Sequence, residues 1–321
     1  MAKMLIDGVL VEKPKATDGK FMRMGSGFRG QIEPQADAEF PADAGRYHLY
    51  VSMACPWSHR TTIMRSLKGL AEIITITPME ALVGEESWKI DRAAFDPAAG
   101  IPDDEFLYQV YLRNDPNHTG PITVPVLLDK KSGRIVNNDS AEIMRMLNTA
   151  FDDVAEPTQD FYPQALRPQI DRVSDDIYDP LNNGVYRAGF ATSQQAYDEA
   201  VTAIFAKLDE LDQLLGTQRY LVGDQITEAD WRLFTTLVRF DPVYVTHFKT
   251  DRKRIADYLN LAPYLRDLYQ VPGVLDTIVM DEIRQHYFRS HTHINPYGIV
   301  SVGPVFDLTQ PHFRNTTSSQ T

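Results

Sequence analysis

The chain has 321 residues, enough for roughly two domains at ~150 residues each. It carries 44 Asp and Glu against 32 Lys and Arg, a net charge of −12, which argues against a surface that coats nucleic acid or an anionic membrane. Its single cysteine, Cys55, excludes an intrachain disulfide, a CxxC redox pair and any multi-cysteine metal site.

Residues 1–45 are rich in Gly, Pro and charge, show no clear period, and are expected to form an extended arm. The opening apolar stretch is broken by Asp7 and has no small-residue cleavage site after it. No window approaches 18 apolar residues, so no signal peptide or transmembrane helix is expected, and a cytoplasmic location is. Gly25-Ser26-Gly27-Phe28-Arg29-Gly30 matches G-x-G-x-x-G, but Pro34 and Pro41 follow where a dinucleotide site needs a helix, so the segment reads as a loop.

Tyr47 to Met53 is aromatic and β-branched and predicts a buried strand. Cys55 follows, then a helix over 57–70 with Pro56 at its first turn, then a strand over 73–77, a β-α-β unit. Residues 78–117 read as a long polar insertion containing Trp88. Residues 123–128 and 134–136 read as a hairpin around Asp129 to Gly133, and 140–150 as a helix. From about 165 the pattern is helical alone. It includes a helix over 195–215 and one opening at Thr227 through Val238, where Thr227 and Asp230 stand in the places of a capping box. Another helix surrounds 261–268, and 290–321 reads as a draped tail, frayed at its end. The expected plan is an arm over 1–45, an α/β domain over 46–150, an all-helical domain over 151–290 and a tail over 291–321.

A cysteine between a strand and a helix N-terminus meets backbone N–H groups that favour a thiolate, the nucleophilic form in sulfur exchange. His59 and Arg60 add two candidate cations. Ser58 stands where a dithiol oxidoreductase would carry its second cysteine, so an exchange cycle at Cys55 needs an external thiol, for which glutathione is the abundant cytosolic choice. Val124-Pro125 interrupts an apolar strand and marks an edge or a special turn. Asp139-Ser140 opens a helix, where it can serve as an N-cap, as a grip on a ligand carboxylate, or both.

The strings YHLYVSMACPWSHRTTIMRSLKGL, ITVPVLLDKKSGRIVNNDSAEIMRMLNTAF, ITEADWRLFTTLVRFDPVYVTHFK and HYFRSHTHINPYGIVSVGP resemble the glutathionyl-hydroquinone reductases, the Xi class of glutathione transferases, and the resemblance runs from about residue 20 to 308. It implies a thioredoxin-like N-terminal domain followed by a helical glutathione-transferase-type domain, usually as a homodimer. It also implies glutathione as cosubstrate, glutathionylated quinols as substrates and no metal. It implies Cys55 as nucleophile and Trp88 packed on glutathione. The Thr123 and Val124 backbone would pair with its cysteinyl group, and Asp139 and Ser140 would grip its γ-glutamyl end. Tyr186 would be the proton donor, with Tyr244 and Tyr287 flanking the thiol. The chain departs from the family in carrying Asp139 where Glu is frequent and Pro121 where Arg is common, with Arg113 a candidate replacement.

Other readings are an omega-like thiol transferase or dehydroascorbate reductase, which would share the thiol and the glutathione site, and a non-catalytic binding protein, which would not need Cys55. His286, His291 and His293 match no metal-ligand spacing.

Overall fold

The computed structural model describes residues 3–14, 18–156 and 158–314, so the expected frayed end of the tail lies outside them. The chain divides into two compact units, 1–14 with 23–159 and 277–298, and 15–22 with 160–276 and 299–321.

The arm is more ordered than its composition suggests. Strands β1 (Lys3–Ile6) and β2 (Val9–Glu12) form an antiparallel hairpin, and β3 (Ile32–Glu33) pairs in parallel with β4 (Phe40–Pro41). The central strand β5 (Tyr47–Val51) is buried throughout. After it come α1 (Pro56–Leu67) and β6 (Ile74–Pro78), parallel to β5. The segment read as a polar insertion contains α2 (Leu107–Asn114), whose Leu107, Val110 and Tyr111 are buried at helical spacing. Then come β7 (Gly120–Pro121), which pairs with β1, and the hairpin β8 (Val126–Asp129) and β9 (Arg134–Asn137). Gly133 has φ +72° in the hairpin turn, a left-handed conformation that favours glycine. Helix α3 (Ser140–Thr149) follows and lies beside α1.

The main sheet has the order β6-β5-β8-β9, with β5 antiparallel to β8. Tyr50, Val126 and Leu128 share a core with Leu107, Val110 and Tyr111 of α2. Alternation along a strand sends Tyr47, Leu49 and Val51 to the other face. Val124 belongs to that first core, and Cys55 and Trp88 pack at its margin.

The second unit is helical: α4 (Arg167–Ile177), α5 (Gly184–Gly189), α6 (Gln194–Leu215), α7 (Glu228–Arg239), the short α8 (Val245–His247) and α9 (Leu261–Tyr269). Wide π-helical turns over Tyr178–Asn182 and Phe240–Tyr244 join α4 to α5 and α7 to α8. Each contains an Asp-Pro pair, and a proline lacking its N–H cannot continue an α-helical ladder. The core is built on Trp231, Phe234, Ile204, Phe205 and Leu208. The tail is tied to α9, whose following Gln270 donates to the carbonyls of Leu308 (2.9 Å) and Gln310 (2.8 Å).

The chain then completes the first unit with α10 (Met280–Ser290). The boundary expected at 150/151 thus falls at 159/160, and residues 277–298, expected to be divided between the helical domain and the tail, belong with the α/β unit. The reason is packing: α10 buries Ile283, His286, Tyr287 and Phe288, a face that helical periodicity reveals but whose partner it does not.

Candidate active site

Cys55 is the N-cap residue of α1, half-buried, with extended backbone angles (φ −77°, ψ 125°). Its N–H donates to the Ser52 carbonyl at 3.0 Å, and its carbonyl accepts His59 N–H at 2.9 Å. The turn is reinforced by Ser58, whose Oγ accepts the Ser52 N–H at 3.2 Å. Sγ therefore stands at the helix N-terminus, where the backbone dipoles favour negative charge. It lies 4.0 Å from the Val124 carbonyl oxygen. The Val124–Pro125 peptide is cis.

The two candidate cations expected beside the thiol have different settings. His59 is buried, its Nε2 2.9 Å from Thr277 Oγ1, a tie between α1 and the segment entering α10. Arg60 is 2% exposed, stacks over the Trp57 ring at 4.4 Å and reaches Ser140 Oγ at 3.4 Å. Arg23 lies over the same ring at 4.7 Å. Arg113 is paired with Asp104 at 2.5 Å.

The stretch before the cis peptide is held by a residue that the sequence did not single out. The Tyr111 hydroxyl donates to the Thr123 carbonyl (2.9 Å) and accepts the Thr123 N–H (3.3 Å) and Asn138 Nδ2–H (3.1 Å). One donor and two lone pairs are all in use. Thr123's backbone groups are therefore engaged, and Val124 carries the carbonyl that faces Sγ. The three buried positions Leu107, Val110 and Tyr111 in α2 are the available signal, hidden by the polarity of the surrounding segment.

Asp139 caps α3, its Oδ1 accepting Ala141 N–H (3.0 Å) and Glu142 N–H (3.1 Å). Its Oδ2 lies 3.3 Å from Arg29, which also pairs with Glu142 at 2.5 Å. Arg29 belongs to the glycine-rich loop, which drapes over this helix end: Phe28 N–H reaches Asn138 Oδ1 at 3.1 Å and Ser26 Oγ reaches the Asn138 carbonyl at 3.1 Å. Ser140 is 8% exposed.

Trp88 follows Ser87, which is buried at φ +74°, a strained angle for a residue with a Cβ. Tyr287, 1% exposed, lies on α10, its ring 5.3 Å from His286 and 5.5 Å from His291. In the helical unit, Tyr186 and Tyr244 come together with ring centroids 6.2 Å apart. Phe248 lies 5.3 Å from Tyr244 and 5.5 Å from Tyr186. Gly189 makes room for it: a Cβ there would fall 2.0 Å from Phe248 Cδ1. Among the described residues no His, Cys, Asp and Glu group could hold a metal, and no helix is long and apolar enough to cross a membrane.

Residues 54–150 match the family described as Glutathione S-transferase, N-terminal domain, and residues 194–267 match Glutathione S-transferase, C-terminal domain. The chain is 55% identical to the glutathionyl-hydroquinone reductase YqjG of Escherichia coli, over 97% of this chain and 98% of that one. The glutathione-bound structure of that protein superposes with a TM-score of 0.88, at 52% identity over 98% and 99% of the two chains. This chain is 47% identical to the glutathionyl-hydroquinone reductase PcpF of Sphingobium chlorophenolicum, over 95% and 97% of the chains. A Xi-class glutathione transferase of Natrialba magadii superposes with a TM-score of 0.91, at 45% identity over 98% and 96%.

Proposed function

Since the chain belongs to the glutathionyl-hydroquinone reductases, the Xi class of glutathione transferases, we propose that it reduces glutathionyl-hydroquinones through a mixed disulfide at Cys55. The observation that carries this reading is the placement of Cys55 Sγ at the N-terminus of α1, 4.0 Å from the Val124 carbonyl, in a chain with no second thiol.

The Cys55 thiolate attacks the thioether sulfur of the substrate. The S–C(aryl) bond breaks, its electron pair goes to the aryl carbon, and that carbon takes a proton from the Tyr186 phenol, leaving hydroquinone and a Cys55–glutathione disulfide. A second glutathione gives its thiol proton back to the Tyr186 phenolate and attacks, as thiolate, the glutathione sulfur of this disulfide, releasing oxidised glutathione and restoring the Cys55 thiolate. The sum is one aryl thioether and one glutathione giving one hydroquinone and one disulfide.

Glutathione is an anion, and a chain of net charge −12 needs a local positive site for it. The N-termini of α1 and α3 supply one, with Ser140 backed by buried Arg60. In this reading the Val124 backbone pairs with the cysteinyl group, with Thr123 beside it held by Tyr111. Asp139 and Ser140 receive the γ-glutamyl end, Trp88 packs on the tripeptide, and Tyr244 and Tyr287 tune the thiol. The protein acts as a homodimer in the glutathione-rich cytoplasm.

The test is a steady-state assay with glutathione and glutathionyl-menadiol, on the wild type and Cys55→Ser. The expected loss in the variant is about 1,000-fold, ~4 kcal/mol of barrier. Wild-type activity on protein–glutathione disulfides or dehydroascorbate with none on any aryl thioether would replace this reading by the omega-like one. Full activity of Cys55→Ser would end the mixed-disulfide mechanism.

A further inference from the structure

Trp88 sits in a segment without regular ladder structure. The backbone from 79 to 91 is tied at intervals: Glu80 N–H to the Lys89 carbonyl (2.8 Å), Asp91 N–H to the Pro78 carbonyl (3.0 Å), and Leu107 N–H to the Trp88 carbonyl (3.0 Å). These bonds place the main chain. They do not choose one orientation for the indole, and ordering a large side chain has an entropic cost that some contact must offset.

One edge of the indole packs at the margin of the first core, and a second contact comes from α10. The His286 ring lies parallel to the Trp88 indole, 11° between planes and 5.3 Å between centroids. His286 Nδ1 is 2.9 Å from the Ala81 carbonyl oxygen, across 205 residues of sequence. A carbonyl only accepts, so Nδ1 carries the hydrogen and the imidazole orientation is set. One turn further along α10, on the same face, Ser290 Oγ accepts the Val83 N–H at 3.0 Å. Helix α10 therefore meets the segment at Ala81, Val83 and Trp88. His286 is 8% exposed, and the next residue is Tyr287.

We propose that His286 is a positioning residue for glutathione binding: tethered to Ala81, it holds the Trp88 indole as a fixed platform. The inference rests on the reading of Trp88 as the residue that packs on glutathione. One face of the indole is given to the imidazole, and the ligand uses what remains. Glutathione affinity is thereby set by a helix distant in sequence, one that also carries a candidate tyrosine of the site.

The test measures glutathione binding by calorimetry in full-length Cys55→Ser protein, where no disulfide chemistry intervenes, with each variant's melting curve recorded. His286→Ala is expected to weaken binding about tenfold. His286→Phe, which keeps the flat ring, is expected to recover most of that loss. His286→Asn, which keeps a donor near the Nδ1 position, is expected to fall between. Trp88→Ala is expected to weaken binding by a similar factor, with the double variant no weaker than Trp88→Ala alone. In protein with Cys55 intact, His286→Ala should raise KM for glutathione with little change in kcat.

Unchanged binding in His286→Ala alongside weakened binding in Trp88→Ala overturns the positioning role and leaves the Trp88 reading standing. Unchanged binding in Trp88→Ala overturns the Trp88 reading itself. Fully additive losses in the double variant would mean that His286 acts on its own, which also overturns the proposal. If His286→Ala does not fold, His286→Phe and His286→Asn decide by the same comparison with Trp88→Ala: wild-type binding in both overturns the role, and a graded loss supports it.

Discussion

The Tyr111 hydroxyl holds both backbone groups of Thr123, donating to its carbonyl at 2.9 Å and accepting its N–H at 3.3 Å. Tyr111 is fully buried, and burial raises its phenol above the ordinary tyrosine range, so it stays a neutral donor across the physiological range.

Tyr111→Phe is therefore expected to leave Thr123 N–H, Thr123 C=O and Asn138 Nδ2 short of a partner, at a cost of about 1–3 kcal/mol. Urea unfolding reads the stability. KM for glutathione should rise severalfold, because the loosened backbone adjoins Val124. A variant with wild-type stability and wild-type KM would show that the hydroxyl does nothing for this turn.

Asp139 has a capping role in the geometry and a ligand role in our proposal, and two variants separate them. Asp139→Asn keeps a cap acceptor for Ala141 and Glu142 and loses the charge. Asp139→Ala loses both, with about 1 kcal/mol of stability. If the carboxylate meets the γ-glutamyl ammonium, Asn raises KM for glutathione nearly as much as Ala does while melting close to the wild type. Equal KM in Asn and wild type would leave Asp139 as a cap alone.

His48 on β5 is wholly buried, its Nδ1 2.8 Å from Thr75 Oγ1, and burial, then Lys130 and Arg65, push it down to about 3. The unfolded chain takes up this proton near 6.5 and the native state does not. Stability is thus unaffected above 6.5 and falls as pH drops below it, at up to about 1.4 kcal/mol per pH unit. His48→Asn should flatten the acid limb of a melting-temperature profile between pH 6 and 4. An unchanged slope would mean that other groups govern acid unfolding.

Asp230 gathers four donors inside the helical unit: Leu221 N–H (2.9 Å), Thr227 N–H (2.8 Å), Thr227 Oγ1 (3.0 Å) and Tyr264 OH (2.8 Å). It is the acidic partner of the capping box that opens α7. Asp230→Ala should lower stability by about 3 kcal/mol or more through orphaned buried donors. A shift of the urea midpoint worth under 1 kcal/mol would contradict this.

The elements that sequence reading found are those whose signal is local. The strands and helix of the β-α-β unit around Cys55, the Asp129–Gly133 hairpin, the Asp139 cap and the Thr227–Asp230 box are each marked by residues a few positions apart, where alternation, capping and turn chemistry act. Helix α2 lies in a segment whose sequence looks like a polar insertion, because eight residues with three buried positions are too few to establish a period. The wide turns at Asp179-Pro180 and Asp241-Pro242 carried a signal, proline inside a helical pattern, that a hydrophobic stripe alone does not weigh.

By itself, the sequence determined the two-part fold class, the strand-to-helix position of Cys55 and, from the absence of any other thiol, that an exchange cycle at Cys55 would need an external one. The tertiary structure decided that α10 belongs with the α/β unit, that Tyr111 holds Thr123, that His59 ties α1 to Thr277, and that His286 lies on Trp88. The physical reason is range: propensity and periodicity report neighbours within about a turn, whereas these side chains find their partners only after the backbone has folded, Ala81 and His286 across 205 residues.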